Sequence, residues 1–249
     1  MIKLIKITKS FNSQKVLDEL DLNIDSEKIT VIIGQSGGGK SVLLKHIIGL
    51  IRPDSGQIII DGIDITNLND KKLNEVRKKF GMLFQDAALF DSMTVGENVA
   101  FPLNEHTRLS RKEVNKIVKE KLNLVGLENV THKMPSELSG GMRKRVGLAR
   151  AIALDPKIVL FDEPTTGLDP IMRESVDELI VATQKRTKAT FVIISHDIES
   201  AFTIAHKVAM LYQGKIVAVG TPDEIRSSNN SFVKRFIKDL RGQGSGIRD

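Results

Sequence analysis

One stretch decides the fold: Gly34-Gln35-Ser36-Gly37-Gly38-Gly39-Lys40-Ser41, which directly follows the apolar run Thr30-Val31-Ile32-Ile33. Its pattern, G-x-x-x-x-G-K-[ST], is typical of a loop that points successive backbone N–H groups at phosphate oxygens. The lysine supplies a cation for the β- and γ-phosphates, and the serine supplies a hydroxyl for Mg²⁺. A helix predicted from Ser41 to about residue 50 adds its N-terminal dipole. The stretch therefore predicts a nucleoside triphosphate site between a strand and a helix.

Two further apolar runs end in polar residues. Residues 157–161 lead into Asp162 and Glu163, and residues 191–194 lead through a serine into His196. Continuous apolar runs rich in β-branched residues are typical of parallel strands that are buried on both faces. Ligands of open α/β sheets bind beyond the carboxyl ends of such strands. We therefore expect these side chains to converge with Lys40 on one edge of a sheet.

The polar residues at the strand ends suit phosphoryl chemistry. Asp162 can hold Mg²⁺ through water, and Glu163 can polarise an attacking water as general base. His196 can reach the γ-phosphate or that water. Adjacent carboxylates are often only solvated charges, and a lone histidine is often a satisfied surface or core residue. Their positions after buried strands favour the functional interpretation.

A fourth motif narrows the family. Leu138-Ser139-Gly140-Gly141-Met142, followed by three basic residues, resembles the signature motif of the ABC ATPases. The resemblance extends from the first strand to about residue 225. It implies an α/β P-loop NTPase (RecA-like) fold of ABC ATPase architecture, with a mainly parallel sheet, an N-terminal antiparallel β portion and a helical insert. The other residues that match family motifs, in order, are Phe11, Gln85, Asp169 and His196.

The same resemblance implies a homodimer with ATP at its interface. In the ABC family the signature motif faces the γ-phosphate of ATP held by the opposite subunit, so two chains enclose two nucleotides. Hydrolysis then lets the subunits part and can drive a partner. Phe11 would stack on adenine, and Gln85 would join Ser41 and Asp162 around Mg²⁺. The catalytic residues implied are Glu163, His196, Lys40 and Gln85, and the nucleotide-binding residues implied are Phe11, Gly34, Ser36, Gly37, Gly38, Gly39, Lys40, Ser41, Val42, Ser139, Gly141 and Asp169.

Three residues depart from the usual family pattern. Met142 replaces a glutamine, which removes a side-chain hydrogen bond toward the opposite nucleotide's ribose. Val42 replaces a threonine, which leaves only a backbone N–H for the α-phosphate. Phe11 replaces the commoner tyrosine, and stacking survives without the hydroxyl. None of these changes removes a group that hydrolysis requires, so we expect an active ATPase.

The predicted organisation is a single ABC ATPase domain over residues 1–249. Residues 1–85 and 153–225 would form the RecA-like core with its antiparallel β portion, and residues 86–152 the helical subdomain with the signature motif. Residues 226–249 would form a C-terminal helix and a flexible tail. Within that helix, an apolar stripe at Phe232, Phe236 and Leu240 favours packing on its own domain over docking a second subunit.

The helical insert indicates a branch of the family. Its sequence looks like the ATPase subunit of Mla type phospholipid transporters, as does the methionine that ends the signature motif. That subgroup implies an integral membrane permease, an MCE-type lipid-binding subunit and a role in outer-membrane lipid asymmetry; a small regulatory subunit stays open. Alone, the tripeptide at 105–107 fits an ordinary polar loop equally well. The segments that carry the likeness are 82–85, 87–90, 98–103, 105–107 and 134–142.

Two other functions stay open from the sequence. The same ATPase could drive an importer of small polar solutes such as amino acids. A soluble ABC switch acting on DNA or the ribosome is a different class. Such switches typically fuse two ATPase units or insert long coiled coils, whereas this chain has one unit and no long heptad run.

Charge and composition set weaker bounds. The net charge is +6 with 37 basic residues, and clusters of basic residues lie at 108–121, 143–145, 185–188 and 234–241. Most alternate with apolar residues at helical spacing, which predicts solvated helix faces, although anionic lipid could use the same surplus. Tryptophan is absent and there is one tyrosine, so no nucleic acid partner is expected. No apolar run approaches the roughly 18 residues of a membrane span. We expect a soluble chain, peripheral on the cytoplasmic face of an inner membrane.

Overall fold

The computed structural model describes residues 1–244. The strands are β1 (Ile2–Phe11), β2 (Gln14–Ile24), β3 (Ile29–Ile33), β4 (Ser55–Ile60), β5 (Ile63–Asp64), β6 (Phe80–Leu83), β7 (Ile158–Asp162), β8 (Thr190–Ser195), β9 (Lys207–Tyr212) and β10 (Lys215–Gly220). The helices are α1 (Lys40–Ile47), α2 (Asp70–Arg77), α3 (Val95–His106), α4 (Arg111–Leu124), α5 (Gly140–Ala151), α6 (Pro170–Thr187), α7 (Ile198–Ile204), α8 (Pro222–Arg226) and α9 (Ser231–Gly244), with a 3-10 turn at Pro135–Glu137.

The chain divides into two compact units. The first unit combines Met1–Arg77 with the chain from Thr190 onward, and the second unit is Lys78–Ala189. The sequence-based boundaries near residues 85 and 153 stay a prediction. Within residues 1–244, none of the helices combines the length and the apolar character that crossing a bilayer requires.

The first unit contains the predicted antiparallel portion, a sheet of order β2-β1-β4-β5. Ile2 and Leu4 of β1 are buried, and the next buried residue is Ile7, one position out of step. The shift follows from Lys6, whose φ of 46° belongs to an irregularity in the pairing of β1 with both neighbours. A bulge of this kind inserts one residue and so moves the buried positions by one. It keeps Ile7 buried together with Ile2 and Leu4 despite the extra residue.

The first unit also contains strands in the order β10-β9-β3-β8. β3 runs parallel to both β8 and β9, and every residue of β3 and β8 is buried. This confirms the parallel, doubly buried strands predicted from the apolar runs. β9 and β10 form an antiparallel hairpin whose turn residues, Gln213 and Gly214, have φ values of 47° and 77°. Two successive positive φ values are the signature of the type I′ turn that suits a two-residue hairpin.

The second unit combines a short parallel ladder with helices. β6 pairs with β7 in parallel, with Leu83 opposite Phe161. α3 and α4 begin at capping boxes, in which Thr94 with Glu97 and Ser110 with Glu113 satisfy each other's backbone N–H groups. α5 packs against α3, α4 and β6. The helices predicted between Gln85 and residue 152 are therefore present.

The C-terminal helix packs on its own unit. The rings of Phe232 and Phe236 lie 4.9 and 5.7 Å from the ring of Tyr212 in β9, and Val233 is buried beside them. This is the packing expected for the apolar stripe. The side chain of Leu240 and residues 245–249, which include the end of the predicted tail, lie outside the described part of the chain.

Candidate functional site

The phosphate loop connects β3 to α1 in the first unit. Gly39 stands at the N-terminus of α1 with a φ of 93°, and no side chain caps the helix there. Lys40 is buried, and its ammonium donates to the main-chain oxygens of Gly34 and Gln35 at 2.9 and 3.0 Å. The lysine side chain thus folds back over the loop, as a cation for a phosphate held there requires. α1 is shorter than predicted, because Gly49 adopts a φ of 73° and ends it.

The glycines of the loop allow close backbone approach. A Cβ built on Gly39 would lie 3.0 Å from the main-chain oxygen of Val16, whereas one on Gly37 would have no atom within 4 Å. Beside the loop is a cleft of about 360 Å³. Its lining residues are Gln14, Lys15, Val16, Gln35, Ser36, Gly37, Gly38, Leu211, Tyr212, Gln213 and Gly214. The first unit therefore carries the predicted phosphate loop at the lining of a cleft.

Phe11 lies close to this cleft along the sheet. It is the last residue of β1 and pairs with Gln14, which lines the cleft. Its ring is 43% exposed, and the ammonium of Lys9 lies 5.5 Å from the ring centroid. An exposed aromatic face is available for stacking on a base. Its contact with adenine stays a prediction.

His196 lies at the same sheet edge as the phosphate loop. It follows β8, and the register sets Ser195 of β8 opposite Ile33 of β3, the residue before Gly34. The side chain is half-buried. Asp197, the next residue, accepts backbone hydrogen bonds from Glu199 and Ser200 and so caps α7. The structure thus brings His196 and the loop to one edge of the first unit, as predicted.

Gln85, Asp162 and Glu163 share an edge of the second unit. Gln85 is two residues after β6, Asp162 ends β7, and the parallel register places these strand ends side by side. Glu163 has a φ of 48°, and its carboxylate accepts a hydrogen bond of 3.0 Å from the hydroxyl of Thr166. A left-handed non-glycine residue of this kind costs of order 1–3 kcal/mol and is often found at active sites. The joint action of this set with the first unit's groups on one nucleotide stays a prediction.

Ser139 of the signature motif and Asp169 both cap helices. The hydroxyl of Ser139 accepts from the backbone N–H of Met142 at 3.3 Å and caps α5. Asp169 accepts from the backbone N–H of Met172 at 3.0 Å and caps α6. Gly141 is buried in the first turn of α5, where a Cβ would meet the end of the Met172 side chain. Each residue therefore has a structural task within its own chain besides the nucleotide role predicted for it.

The prediction of solvated basic helix faces is wrong for two lysines of the second unit. Lys121 and Lys144 are only 5% and 7% exposed. The ammonium of Lys121 forms an ion pair of 2.5 Å with Asp155, and that of Lys144 donates to the main-chain oxygen of Gln85. Helical periodicity places both lysines near apolar positions. It does not show that a carboxylate or a main-chain carbonyl lies close enough to pair with the buried ammonium.

Lys144 is a residue that sequence reasoning missed. Burial lowers the pKa of its ammonium, while the carboxylates of Asp86, Asp162 and Glu163 act in the opposite direction. The lysine thus stands in the field of the acids assigned to Mg²⁺ and to water. The signal available in the sequence is a basic residue close to the signature motif, but its helical spacing predicts a solvated face.

A buried histidine lies on the helix that follows the phosphate loop. The Nδ1 atom of His46 lies 2.7 Å from the main-chain oxygen of Val42, so Nδ1 carries the proton and donates it. Its Nε2 atom is buried without a hydrogen-bond partner. Burial holds the pKa of His46 below its ordinary value of 6.5. Burial therefore favours the neutral imidazole over the charged one.

Comparisons with known proteins agree with this geometry. A family model described as "ABC transporter" matches residues 17–166. The Haemophilus influenzae protein named "Intermembrane phospholipid transport system ATP-binding protein MlaF" is 42% identical over 238 residues, covering 96% of this chain and 90% of that protein. The Mycobacterium leprae protein named "Probable ribonucleotide transport ATP-binding protein mkl" is 45% identical over 235 residues, covering 94% of this chain and 68% of that protein.

A solved structure matches over most of its length. It is a dimeric, post-hydrolysis state of the ATP-binding cassette MJ0796 bound to ADP and Pi. Its TM-score is 0.82 at 33% identity, with 89% of this chain and 99% of that chain covered. This match confirms the predicted α/β P-loop NTPase fold. Together with the family match over more than half of the chain, it shows that the chain belongs to the ABC transporter family, as an ATP-binding domain that hydrolyses ATP.

Proposed function

We propose that this chain is the ATPase subunit of a phospholipid transporter and energises a membrane permease from the cytoplasmic face of an inner membrane. The observation that carries the proposal is the 42% identity to the Haemophilus influenzae MlaF protein, because it extends over 96% of this chain and 90% of that protein. The subunit would contribute to outer-membrane lipid asymmetry, working with an MCE-type lipid-binding subunit. A small regulatory subunit is a further partner to seek.

The first unit supplies the groups proposed to bind the nucleotide. Lys40 and the loop amides would bind the phosphates, and Phe11 would stack on adenine. The backbone N–H of Val42 would meet the α-phosphate. The support is the buried lysine on the loop carbonyls and the exposed ring beside the cleft.

The second unit supplies the acids proposed for hydrolysis. Glu163 would accept a proton from the water that attacks the γ-phosphorus, with His196 of the first unit acting at the same phosphate. Ser41, Gln85 and Asp162 offer a hydroxyl, an amide oxygen and a carboxylate, which is the oxygen donor set that Mg²⁺ prefers. Bound Mg²⁺ would neutralise charge on the phosphates.

We further propose a homodimer that encloses ATP. Ser139, Gly141 and Asp169 would meet the nucleotide of the opposite subunit. The dimeric MJ0796 cassette with ADP and Pi supports this arrangement. ATP would then hold the subunits together, and hydrolysis would release them to drive the permease.

A second candidate is import of a small polar solute. The 45% identity to the mycobacterial protein with "ribonucleotide transport" in its name favours it. The ATPase itself would be the same, because the cargo is chosen by the membrane partner. Only the partner distinguishes these two candidates.

The partner is tested by purifying the Glu163→Gln protein from its native membrane in ATP and mild detergent, followed by mass spectrometry. Recovery with a permease and an MCE-type subunit is the expected result. A solute permease would replace the phospholipid cargo by a polar one. Nucleic acid or ribosomes without a membrane partner would contradict the transporter proposal.

The residue assignment is tested by the ATPase rate of the same variant. We expect Glu163→Gln to lower kcat about 100-fold or more, because an amide cannot accept the proton of the attacking water. Glu178→Gln, an exposed change of the same chemistry on α6, is the control and should keep the wild-type rate. Hydrolysis by Glu163→Gln at the rate of Glu178→Gln would overturn the assignment of the base.

A further inference from the structure

The segment that carries Gln85 has an unusual backbone. Ala87 and Ala88, two and three residues after Gln85, have φ values of 60° and 45°. Left-handed conformations disfavour residues with a Cβ, and two in succession persist only where neighbouring groups hold them. The groups that hold this segment therefore determine where Gln85 stands.

Two cations on α5 hold the carbonyl groups of this segment. The ammonium of Lys144 donates to the main-chain oxygen of Gln85. The guanidinium of Arg150 donates to the main-chain oxygens of Ala87 and Ala88 at 2.6 and 2.8 Å. Three main-chain carbonyl groups within residues 85–88 are thus bound by side chains of one helix. We call Lys144 and Arg150 the α5 clamp.

A glycine between the two cations allows the close packing. Gly147 stands three residues from each member of the α5 clamp, on a helix where such spacing brings side chains near one another. A Cβ at Gly147 would lie 3.0 Å from the Cβ of Ala87 and 2.7 Å from a terminal methyl of Leu83. The helix surface therefore lies directly against the segment.

The position of Lys144 also has an electrostatic consequence. Its buried ammonium lies in the field of Asp86, Asp162 and Glu163. Burying an ammonium is costly, and an apolar side chain of similar length would fill the same space at a smaller desolvation cost. A lysine is needed only if its charge or its hydrogen bond has a use.

We propose that Lys144 is a positioning residue for ATP hydrolysis. It fixes the main chain of Gln85 and sets its positive charge in the field of the carboxylates of Asp162 and Glu163, while Arg150 holds the strained residues Ala87 and Ala88. Because Ser139 caps α5, a displacement of the signature motif together with this helix moves the α5 clamp and with it the Gln85 segment. The inference rests on the proposed roles of Gln85 and Glu163.

The test is the ATPase activity of the full chain with Lys144→Met, which keeps the length of the side chain and removes its charge. We expect kcat to fall about tenfold or more, with KM for ATP within about twofold of wild type, because binding groups are untouched. The midpoint of thermal unfolding should not fall. Lys144→Arg, which can still donate to the carbonyl, should recover at least about a third of the wild-type kcat. Lys116→Met, an exposed change on α4, is the matched control.

Two results would overturn the inference. One is a kcat for Lys144→Met within twofold of Lys116→Met. The other is a parallel loss of kcat, ATP affinity and thermal stability that Lys144→Arg does not recover, since that pattern indicates a structural role alone. Lys144→Gln, also neutral, is judged by the same criteria if the methionine variant does not fold.

Glu163→Gln measured in parallel separates this inference from the proposed function. If Glu163→Gln is inactive and Lys144→Met is normal, only the role of Lys144 is wrong. If Glu163→Gln hydrolyses ATP at the wild-type rate, the proposed catalytic site is wrong and the role of Lys144 fails with it.

Discussion

The phosphate loop and the signature motif are both glycine-rich entries to a helix, but they are held in different ways. At α1, Gly39 offers no side chain, so the first N–H groups of the helix have no cap from that position. At α5, the hydroxyl of Ser139 already accepts from the N–H of Met142. The N-terminus of a helix favours an anion. At the first entry no side-chain cap at Gly39 competes with a phosphate, whereas at the second a phosphate would compete with the hydroxyl of Ser139.

This difference shows that one region depends on backbone geometry and the other on side-chain contacts. The phosphate loop depends on backbone dihedral angles and close approach, which only glycine permits at Gly39. The region of α5, the helix that the signature motif opens, depends on side chains, namely the Ser139 cap, the buried Lys144 and the half-buried Arg150. We therefore expect substitutions in the phosphate loop to disable its function by changing the backbone. Substitutions around α5 should have smaller effects, because each removes one side-chain contact.

The largest effect is expected for Gly39→Ala. Gly37 and Gly39 both have positive φ, but only a Cβ on Gly39 would press on the Val16 backbone. Left-handed strain costs each variant about 1–2 kcal/mol. We expect affinity for Mg-ATP, measured by isothermal titration calorimetry, to fall about tenfold for Gly37→Ala and about 100-fold for Gly39→Ala.

Equal losses in the two variants would break this part of the comparison. They would mean that the positive φ alone, and not the approach of Val16, shapes the loop. Retained affinity in both would remove the claim that the backbone encodes the site.

The second largest effect concerns His46 on α1, the helix that follows the phosphate loop. It tests whether a side chain also contributes to the stability of this region. The folded pKa of His46 lies below 6.5, so the unfolded chain binds the proton more tightly. The free energy of unfolding should therefore decrease as pH falls below about 6.5, by at most about 1.4 kcal/mol per pH unit, until the folded pKa is reached. Urea unfolding at several pH values between neutrality and the acid range measures the slope.

His46→Leu is the matched control, since leucine fits an apolar site and does not titrate. Its slope should be smaller than that of the wild type. Identical slopes in the two proteins would show that other groups cause the acid sensitivity.

The smallest effect is expected for the caps of the second unit. Ser139→Ala and Asp169→Ala each remove one side-chain acceptor from a helix start, which typically costs about 1 kcal/mol of stability. Thermal unfolding should show both losses, and Asp169→Asn should recover the second because an amide oxygen can also cap. Unchanged stability in the alanine variants would mean that water or neighbouring groups replace the caps.

The sequence predicted the strands better than the details that adjust them. The apolar runs at 30–33 and 191–194 were sufficient to predict buried parallel strands, because a continuous apolar run is visible without tertiary information. The bulge at Lys6 was not predictable, since its residue type does not favour a positive φ. The early end of α1 had a signal in Gly49, which the prediction to about residue 50 did not use.

In the candidate site, too, some residues were predictable from the sequence and others were not. Residues identified by motif fall on the predicted strand ends within each unit, as His196 and Gln85 do. Lys144 was missed because its hydrogen-bond partner is a main-chain carbonyl. The sequence does not indicate which carbonyl groups lie near a given side chain. Helix periodicity alone gave the same expectation for this buried lysine as for the exposed Lys116.

The ring of Tyr212 can serve as an intrinsic fluorescent probe of the protein. Tyr212 is the single tyrosine, and the chain has no tryptophan. It borders the cleft beside the phosphate loop, and it also touches Phe232 and Phe236 of the C-terminal helix. The near-ultraviolet emission of the protein therefore arises mainly from one place. Fluorescence of the unlabelled protein should report nucleotide entry, and a change in emission without nucleotide should report release of the C-terminal helix.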